Sequence, residues 1–388
     1  MIHFTTAKNW INDPNGLIAI NGVFHMYYQH NPFGNNWGLM SWGHAISRDL
    51  YSWKEEPVAL HEKGYSFYPR MKFSGSAVLD SKNTSGLCKN NATCLVAIYT
   101  EWTLLNQTQN IAVSHDEGKS FVEYRGNPVI DEKSWSFRDP KVFWHGKTSK
   151  WIMAVAKPSA KKVSFYSSKN LLHWSHLSDF SAKTPTEGIW ECPDLFFLPL
   201  MNDSNTGKWV LLISVAETAK GSFMQYFVGD FDGNKFTPEP SFANAKVLDY
   251  GYDFYAAISW ENLAPNNRVI IGWMNNWEYA NSLPTYPWKG SMSLPRKLSL
   301  GFKNGEYYIR QNPESKIEKY KERIKTIGNF HLSDQIFSIP VRDGTFEFNV
   351  EFSDITAEEI GIKLRTPGES AIVTYNQTEN TILFDRKN

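Results

Sequence analysis

The sequence predicts an all-β protein, a five-bladed β-propeller followed by a short β-sandwich, and three observations predict it. Helical periodicity is scarce, while short apolar, β-branched and aromatic runs bounded by Gly, Asn, Asp and Pro recur along the chain. Five of those runs keep a long, regular period. A polar turn ending in an aromatic residue keeps step with them.

The five runs are Phe24–Tyr28, Leu95–Tyr99, Trp151–Val155, Val210–Ser214 and Val269–Trp273, roughly 55 to 70 residues apart, near the upper end of propeller-blade periods. The accompanying turns are Ser47–Trp53, Ser114–Phe121, Ser167–Trp174 and Gly229–Phe236. A sandwich has no reason to repeat over so long a period. Blades of four antiparallel strands around an axis do, and they leave only short, protected sheet edges. The propeller is expected over residues 1–310. Beyond Pro313 comes the charged run Glu314–Arg323, so residues 311–328 are expected to be a linker. Alternating strand patterns resume near Phe330 and include Thr345–Phe352, which predicts a partial C-terminal β-sandwich over 329–388. About 60 residues are few for two packed sheets, which usually take about 100.

Composition narrows the function classes. A chain of 388 residues exceeds what one hydrophobic core usually serves. Its 40 basic and 40 acidic residues cancel, so the electrostatic footprint of a nucleic-acid binder is missing and a neutral partner is expected. No apolar run reaches 18 residues, so no membrane span is expected, and Met1-Ile2-His3-Phe4 does not open a signal peptide. Glycosylation sequons at Asn83, Asn91, Asn106, Asn202 and Asn376 nevertheless point to a secreted glycoprotein. Cys88 and Cys94 bracket a short loop and are a candidate disulfide for an oxidising compartment. Cys192 has no obvious partner, and no spacing suggests a zinc site; no metal and no cofactor are expected. The 15 Trp, 18 Tyr and 25 Phe can fill cores, and their faces also pack on the C–H faces of sugars.

Acids on equivalent strands of different blades converge on one axis, so sequence distance stops mattering. Asp13, Asp139, Glu191 and Asp253 each precede an apolar run by roughly 10 to 20 residues, and Phe73-Ser74-Gly75-Ser76 holds the corresponding place in the second repeat. In Trp10-Ile11-Asn12-Asp13-Pro14-Asn15-Gly16, Pro14 and Gly16 predict a turn, and Asn12 can donate beside the carboxylate. In Phe137-Arg138-Asp139-Pro140 the adjacent Arg can keep the acid ionised. In Trp190-Glu191-Cys192-Pro193-Asp194 the aromatic, thiol and acidic neighbours can raise the pKa of Glu191, with Cys192 as the residue that tunes it. Each motif alone is also compatible with a structural role. Together they suit glycosidic cleavage with retention, which needs an ionised nucleophile and a protonated carboxyl about 5 Å apart. Asp13 fits the first role and Glu191 the second; Asp139 fits stabilisation of the charge that develops on the ring. This pairing predicts a bell-shaped pH profile with an acidic optimum.

These three motifs resemble the signatures of glycoside hydrolase family 32, which includes invertases, exo-inulinases and levanases. Gln29-His30-Asn31-Pro32, Trp42-Gly43-His44, Phe73-Ser74-Gly75-Ser76, Tyr252-Asp253-Phe254-Tyr255-Ala256 and Gly272-Trp273-Met274-Asn275-Asn276-Trp277 agree in order, and the likeness runs over about residues 1 to 310. The resemblance implies a five-bladed propeller followed by a sandwich. It implies Asp13 as nucleophile, Glu191 as acid/base and Asp139 as transition-state stabiliser. It implies that Asn12, Gln29, Trp37, Phe73, Ser74, Arg138 and Trp273, with Asp253 as a further lining residue, surround a terminal fructose. The expected substrates are sucrose and the fructose ends of inulin or levan. A fructosyltransferase on the same scaffold and a silent fructan-binding propeller are the rival readings. Family members usually carry a longer C-terminal sandwich, which this chain departs from.

Overall fold

The computed structural model describes residues 2–387 apart from 66–67, 90–92, 185, 220, 265, 323–324, 334, 341–345 and 367. The protein is all-β and divides into two compact units at Gly328 and Asn329.

In the first unit the periodic apolar runs become strands that pair antiparallel with their chain neighbours. The first sheet is a meander of Asn9–Ile20, Val23–Asn31, Ser41–Ser47 and Trp53–Leu60, and Trp288–Lys289 joins its edge beside Asn9 and Trp10. The second is built on Tyr68–Asp80, Cys94–Trp102 and Gln107–Ser114, and the third is a meander of Arg138–His145, Lys150–Lys157, Lys162–Ser168 and Ser175–Phe180. The largest begins with Ile189–Leu200, Asp203–Thr218 and Gly221–Phe231. A single parallel bridge, Leu200 to Leu300, then connects it to Tyr255–Ser259, Val269–Trp273, Arg296–Lys303 and Glu306–Pro313.

Five strands, here named β1 (Asn9–Ile20), β2 (Tyr68–Asp80), β3 (Arg138–His145), β4 (Ile189–Leu200) and β5 (Tyr255–Ser259), pack against one another. β1 neighbours β2 and β5, and β3 neighbours β2 and β4. The core lies between sheets; its largest cluster includes Trp190, Leu211, Ile213, Phe227 and Leu298, all essentially without solvent exposure. Cutting one such aliphatic side chain back to Ala costs about 2–5 kcal/mol.

All five inner strands carry a register shift at the same level: between Ile11 and Pro14, Lys72 and Gly75, Arg138 and Lys141, Glu191 and Asp194, and Tyr255 and Ile258. Three of these bulges put a non-glycine residue in the left-handed region, Asp139 at φ 65, Cys192 at φ 46 and Ala256 at φ 51. A bulge adds one residue and re-aims side chains that strict alternation would turn away. The expected turn at Pro14 is therefore a strand interrupted by a bulge. Pro140 and Pro193 fall among the unpaired bulge residues, where a missing N–H costs no ladder bond, and Pro14 is the first paired residue beyond its bulge, opposite Tyr28.

The expected linker is held to the first unit over its first ten residues. Gln311 and Pro313 pair with Leu298 and Arg296. The turn Ser315–Tyr320 buries Ile317, and the Tyr51 hydroxyl donates to the Glu314 carbonyl at 2.7 Å. The charged run thus caps a sheet with one apolar residue, which its composition concealed.

The second unit holds one three-stranded antiparallel sheet, Glu359–Thr366, Glu369–Asn376 and Thr381–Lys387. Of the strand expected at 345–352, Thr345 lies outside the described residues and 346–352 forms no strand. Alternation alone does not make a strand; a pairing partner is needed as well.

Candidate active site

The bulges gather the acids. On β1, Asn12 and Asp13 are buried at 3% and 9% exposure. Trp10 Nε1 donates to Asn12 Oδ1 at 2.8 Å, which orients the amide so that its Nδ2 donates to Asp13 Oδ1 at 2.9 Å. From β2 the Ser74 hydroxyl donates to Asp13 Oδ2 at 2.6 Å. From β4 the Cys192 thiol reaches the same oxygen at 3.4 Å and Asp139 Oδ2 at 3.6 Å, while the Cys192 N–H donates to Asp139 Oδ2 at 3.0 Å. The left-handed backbone at Cys192 is what turns this thiol and N–H towards two acids at once.

Glu191 is held at both oxygens. Arg138 Nε and Nη2 donate to Oε1 at 2.9 and 2.6 Å, and the Tyr255 hydroxyl of β5 donates to Oε2. Arg138 Nε also stands 4.0 Å from Asp139 Oδ2, so its hydrogen bonds go to Glu191 while its charge reaches the acid beside it, as expected. The Asp139 N–H donates to Thr100 Oγ1 at 3.0 Å.

Burial raises the pKa of Asp13; the Ser74 hydrogen bond opposes this and the nearby Glu191 charge adds to it. Asp139 is pushed up to about 7, first by burial, against the pull of Arg138 and with the repulsion of Glu191 and Asp13. Burial and the Asp13 and Asp139 charges push the Cys192 thiol well up, so it is a neutral donor. Burial and the Glu191 charge do the same for Tyr255. Burial works against the Arg138 charge, and Glu191 with Asp139 outweighs it. Acids this close titrate as a group.

The remaining expected residues take varied places. Gln29 Nε2 donates to the Lys72 carbonyl at 2.9 Å, bracing β2 just before Phe73 and Ser74. Phe73 lies between Trp37, 6.1 Å away edge to face, and Trp102, stacked at 6.0 Å. Trp37 is 42% exposed. Trp273 is fully buried 5.8 Å from Trp10, and its indole N–H finds no acceptor among the described residues. Asp253 accepts from the Tyr279 hydroxyl and borders a cavity of about 360 Å³ with Arg296 and Gln311. Sequence reasoning passed over Tyr255, Thr100 and Gln107, which accepts from the Phe137 N–H at 2.9 Å. The Phe254-Tyr255-Ala256 run was the available signal for the first; nothing marked the other two.

Cys88 and Cys94 form a disulfide. The Asn106 amide donates to Asp131 at 3.1 Å with Thr108 buried beside it, and the Asn83 amide is bonded to the Cys88 backbone. Asn202 sits in an exposed turn, the Asn376 amide reaches Glu359 at 3.4 Å, and Asn91 lies outside the described residues. Among the described residues no acidic, Cys or His cluster could hold a metal, and no helix is long and apolar enough to cross a membrane.

Comparison with known proteins agrees with this geometry. The chain is 42% identical over 99% of its length to a levanase of Bacillus subtilis, spanning 58% of that protein. It is 39% identical to the extracellular exo-inulinase of Aspergillus niger, spanning 78% of it. The crystal structure of exo-inulinase from Aspergillus awamori superposes with a TM-score of 0.86 at 36% identity, covering 99% of this chain and 81% of that one. A fructofuranosidase of Schwanniomyces occidentalis complexed with fructose gives a TM-score of 0.82 at 33% identity, covering 100% of this chain and 80% of that one. Residues 3–313 match the N-terminal domain of the glycosyl hydrolases family 32, and the chain belongs to that family.

Proposed function

We propose that this chain is a retaining β-fructosidase that releases terminal β-fructose from sucrose and from inulin- or levan-type fructans. The observation that supports it is the clustering of the three acids: Cys192 bonds to both Asp13 and Asp139, Ser74 bonds to Asp13, and Arg138, which with Tyr255 holds Glu191, stands 4.0 Å from Asp139. Asp13, held by Asn12 and Ser74, attacks the anomeric carbon of the fructosyl unit. Glu191, fixed at both oxygens, protonates the leaving oxygen; the resulting ester is then hydrolysed by water that Glu191 deprotonates. Asp139 accepts hydrogen bonds from sugar hydroxyls and strengthens them as positive charge grows on the ring. Asn12, Arg138 and Trp273 supply donors at the wall of this site, and Trp37 and Phe73 supply an aromatic rim; Gln29 supports β2 from behind, and Asp253 sits further out.

The same reading takes residues 1–310 as a five-bladed propeller, with the nine-stranded sheet as two blades joined at the Leu200–Leu300 bridge, and 329–388 as part of a sandwich. It takes the protein as secreted, in line with the extracellular exo-inulinase relatives, and as glycosylated at exposed Asn202 before the hydrogen-bonded Asn83 and Asn106.

Incubation with sucrose, inulin and levan in turn, with time courses of fructose, glucose and oligosaccharides, tests the function. Free fructose from the first minutes is expected. Oligosaccharides accumulating in place of fructose at high sucrose identify a transferase, and no turnover of any of the three rejects the proposal.

A further inference from the structure

The five inner strands have two ends, and the acids occupy only one. Four or five residues beyond Asp13, Ser74, Asp139 and Glu191 along β1, β2, β3 and β4 lie Ile18, Val78, Phe143 and Leu195, which line an open cavity of about 330 Å³ at the other end. At about 3.3 Å per residue that is roughly 13 to 16 Å from the acids. Between the two levels the strands are filled by a buried polar layer. Lys141 Nζ donates to the Ser259 carbonyl at 3.0 Å and pairs with Asp194 at 3.3 Å and Glu261 at 2.9 Å. Ser76 bonds to the Pro140 carbonyl and the Val142 N–H, both at 2.9 Å. This end is therefore a site of its own.

Its lining is unusual for a surface. Trp144 and Phe197 line it and are each 37% exposed; Lys82 Nζ lies 5.7 Å from the Trp144 ring centre, and Trp209 packs 6.1 Å from Phe197. Polar groups complete the wall. The Asn262 amide donates to the Ala19 carbonyl at 2.8 Å, and Arg268 lies 3.7 Å from Glu261 and also bonds to Ser259 Oγ at 3.1 Å. Glu261 is compensated by Lys141 and Arg268, so the cavity offers no net charge to an ion. Part-exposed aromatic faces beside fixed donors and acceptors, without net charge, match a ligand with apolar C–H faces and many hydroxyls. The volume is at the small end for ligand pockets and takes about one or two sugar units.

We propose that this cavity is a second carbohydrate site, non-catalytic, that holds one or two units of a neutral fructan chain whose end is processed elsewhere on the same or another molecule. The proposal rests on the fructosidase reading for the identity of the sugar. A chain long enough to reach both ends gains from the second contact, and sucrose does not.

The test uses the full chain. Trp144→Ala and Phe197→Ala variants with unchanged circular dichroism are compared with the parent on long-chain inulin and on sucrose. In parallel, migration is measured in native gels containing inulin, on an Asp13→Asn background that prevents digestion. The expected result is a KM for inulin raised about three- to tenfold with sucrose kinetics unchanged, the scale of one lost aromatic contact. Retardation by inulin persists in Asp13→Asn with excess fructose present and is lost in the double variant with Trp144→Ala. Equal kinetics on inulin, or retardation that fructose abolishes and Trp144→Ala leaves intact, overturns the second site. If the parent turns over neither substrate, the fructosidase reading fails, and the gel arm alone still decides whether this cavity binds fructan.

Discussion

The Cys192 thiol donates to Asp13 Oδ2 at 3.4 Å, joining residues 179 positions apart in the chain. The residue after Glu191 thus serves the other acid, and the thiol expected to tune Glu191 faces Asp13 and Asp139 instead. On the proposed mechanism Asp13 works ionised, so with its pKa raised by burial, activity is expected to be lost as pH falls through that raised value. The thiol is among the groups that lower it. Cys192→Ala therefore moves the acidic limb of kcat/KM to higher pH, while Cys192→Ser, which keeps a donor, stays near the parent. The pH profiles of the two variants check this; a shift confined to the basic limb argues against it.

Ser74 makes the shorter bond to the same oxygen, 2.6 Å, and is the largest influence opposing burial at Asp13. Ser74→Ala is expected to move the acidic limb to higher pH and to lower kcat at the optimum about tenfold, the scale of one charge-assisted hydrogen bond. Steady-state kinetics from pH 3 to 8 measures both.

Tyr255 contacts Glu191 Oε2 while Arg138 holds Oε1. Tyr255→Phe keeps the buried ring and removes only the hydroxyl. Expected are a kcat loss of about 10- to 100-fold and a KM within about twofold of the parent, since a carboxyl free to rotate is aimed at the leaving oxygen less often. An unchanged kcat removes Tyr255 from the positioning of Glu191.

On the proposed mechanism Asp139 exchanges activity for stability. Its folded-state pKa of about 7 lies above the ordinary value, so the fold prefers the protonated form. The associated penalty is absent below pH 4, grows as pH rises and is complete above about 7. Asp139→Asn is inactive on the proposed mechanism and more stable than the parent by about 1–3 kcal/mol at pH 8, a gain that vanishes at pH 4. Thermal unfolding at the two pH values measures it; a gain equal at both assigns the effect to packing.

Much of this site was legible in the sequence, for a physical reason. Carboxylates set beside Pro, Asn, Arg and Trp at the start of successive apolar runs are costly to bury, so their recurrence in Asp13, Asp139 and Glu191 marks a shared purpose. The bulges were not legible. Asp13-Pro14 reads as a turn locally, and only strand pairing on both sides reveals a kinked strand. Arg138 shows the same limit: adjacency in sequence suggested Asp139 as its partner, and the pair is there at 4.0 Å, but the hydrogen bonds to Glu191 on the next strand left no local signal. Ile317 anchors a segment whose charges read as a linker, because one buried side chain leaves no periodicity.

The central claim is that Asp13 carries the fructosyl group between the two half-reactions, and it can be read directly. The enzyme is mixed with sucrose at limiting water activity, quenched in acid within milliseconds, digested and mapped by mass spectrometry. The account predicts one added fructosyl unit on the peptide containing Asp13, absent when Asp13→Asn is treated in the same way. A fructosyl adduct on a peptide lacking Asp13, or release of fructose with inverted anomeric configuration, would contradict it.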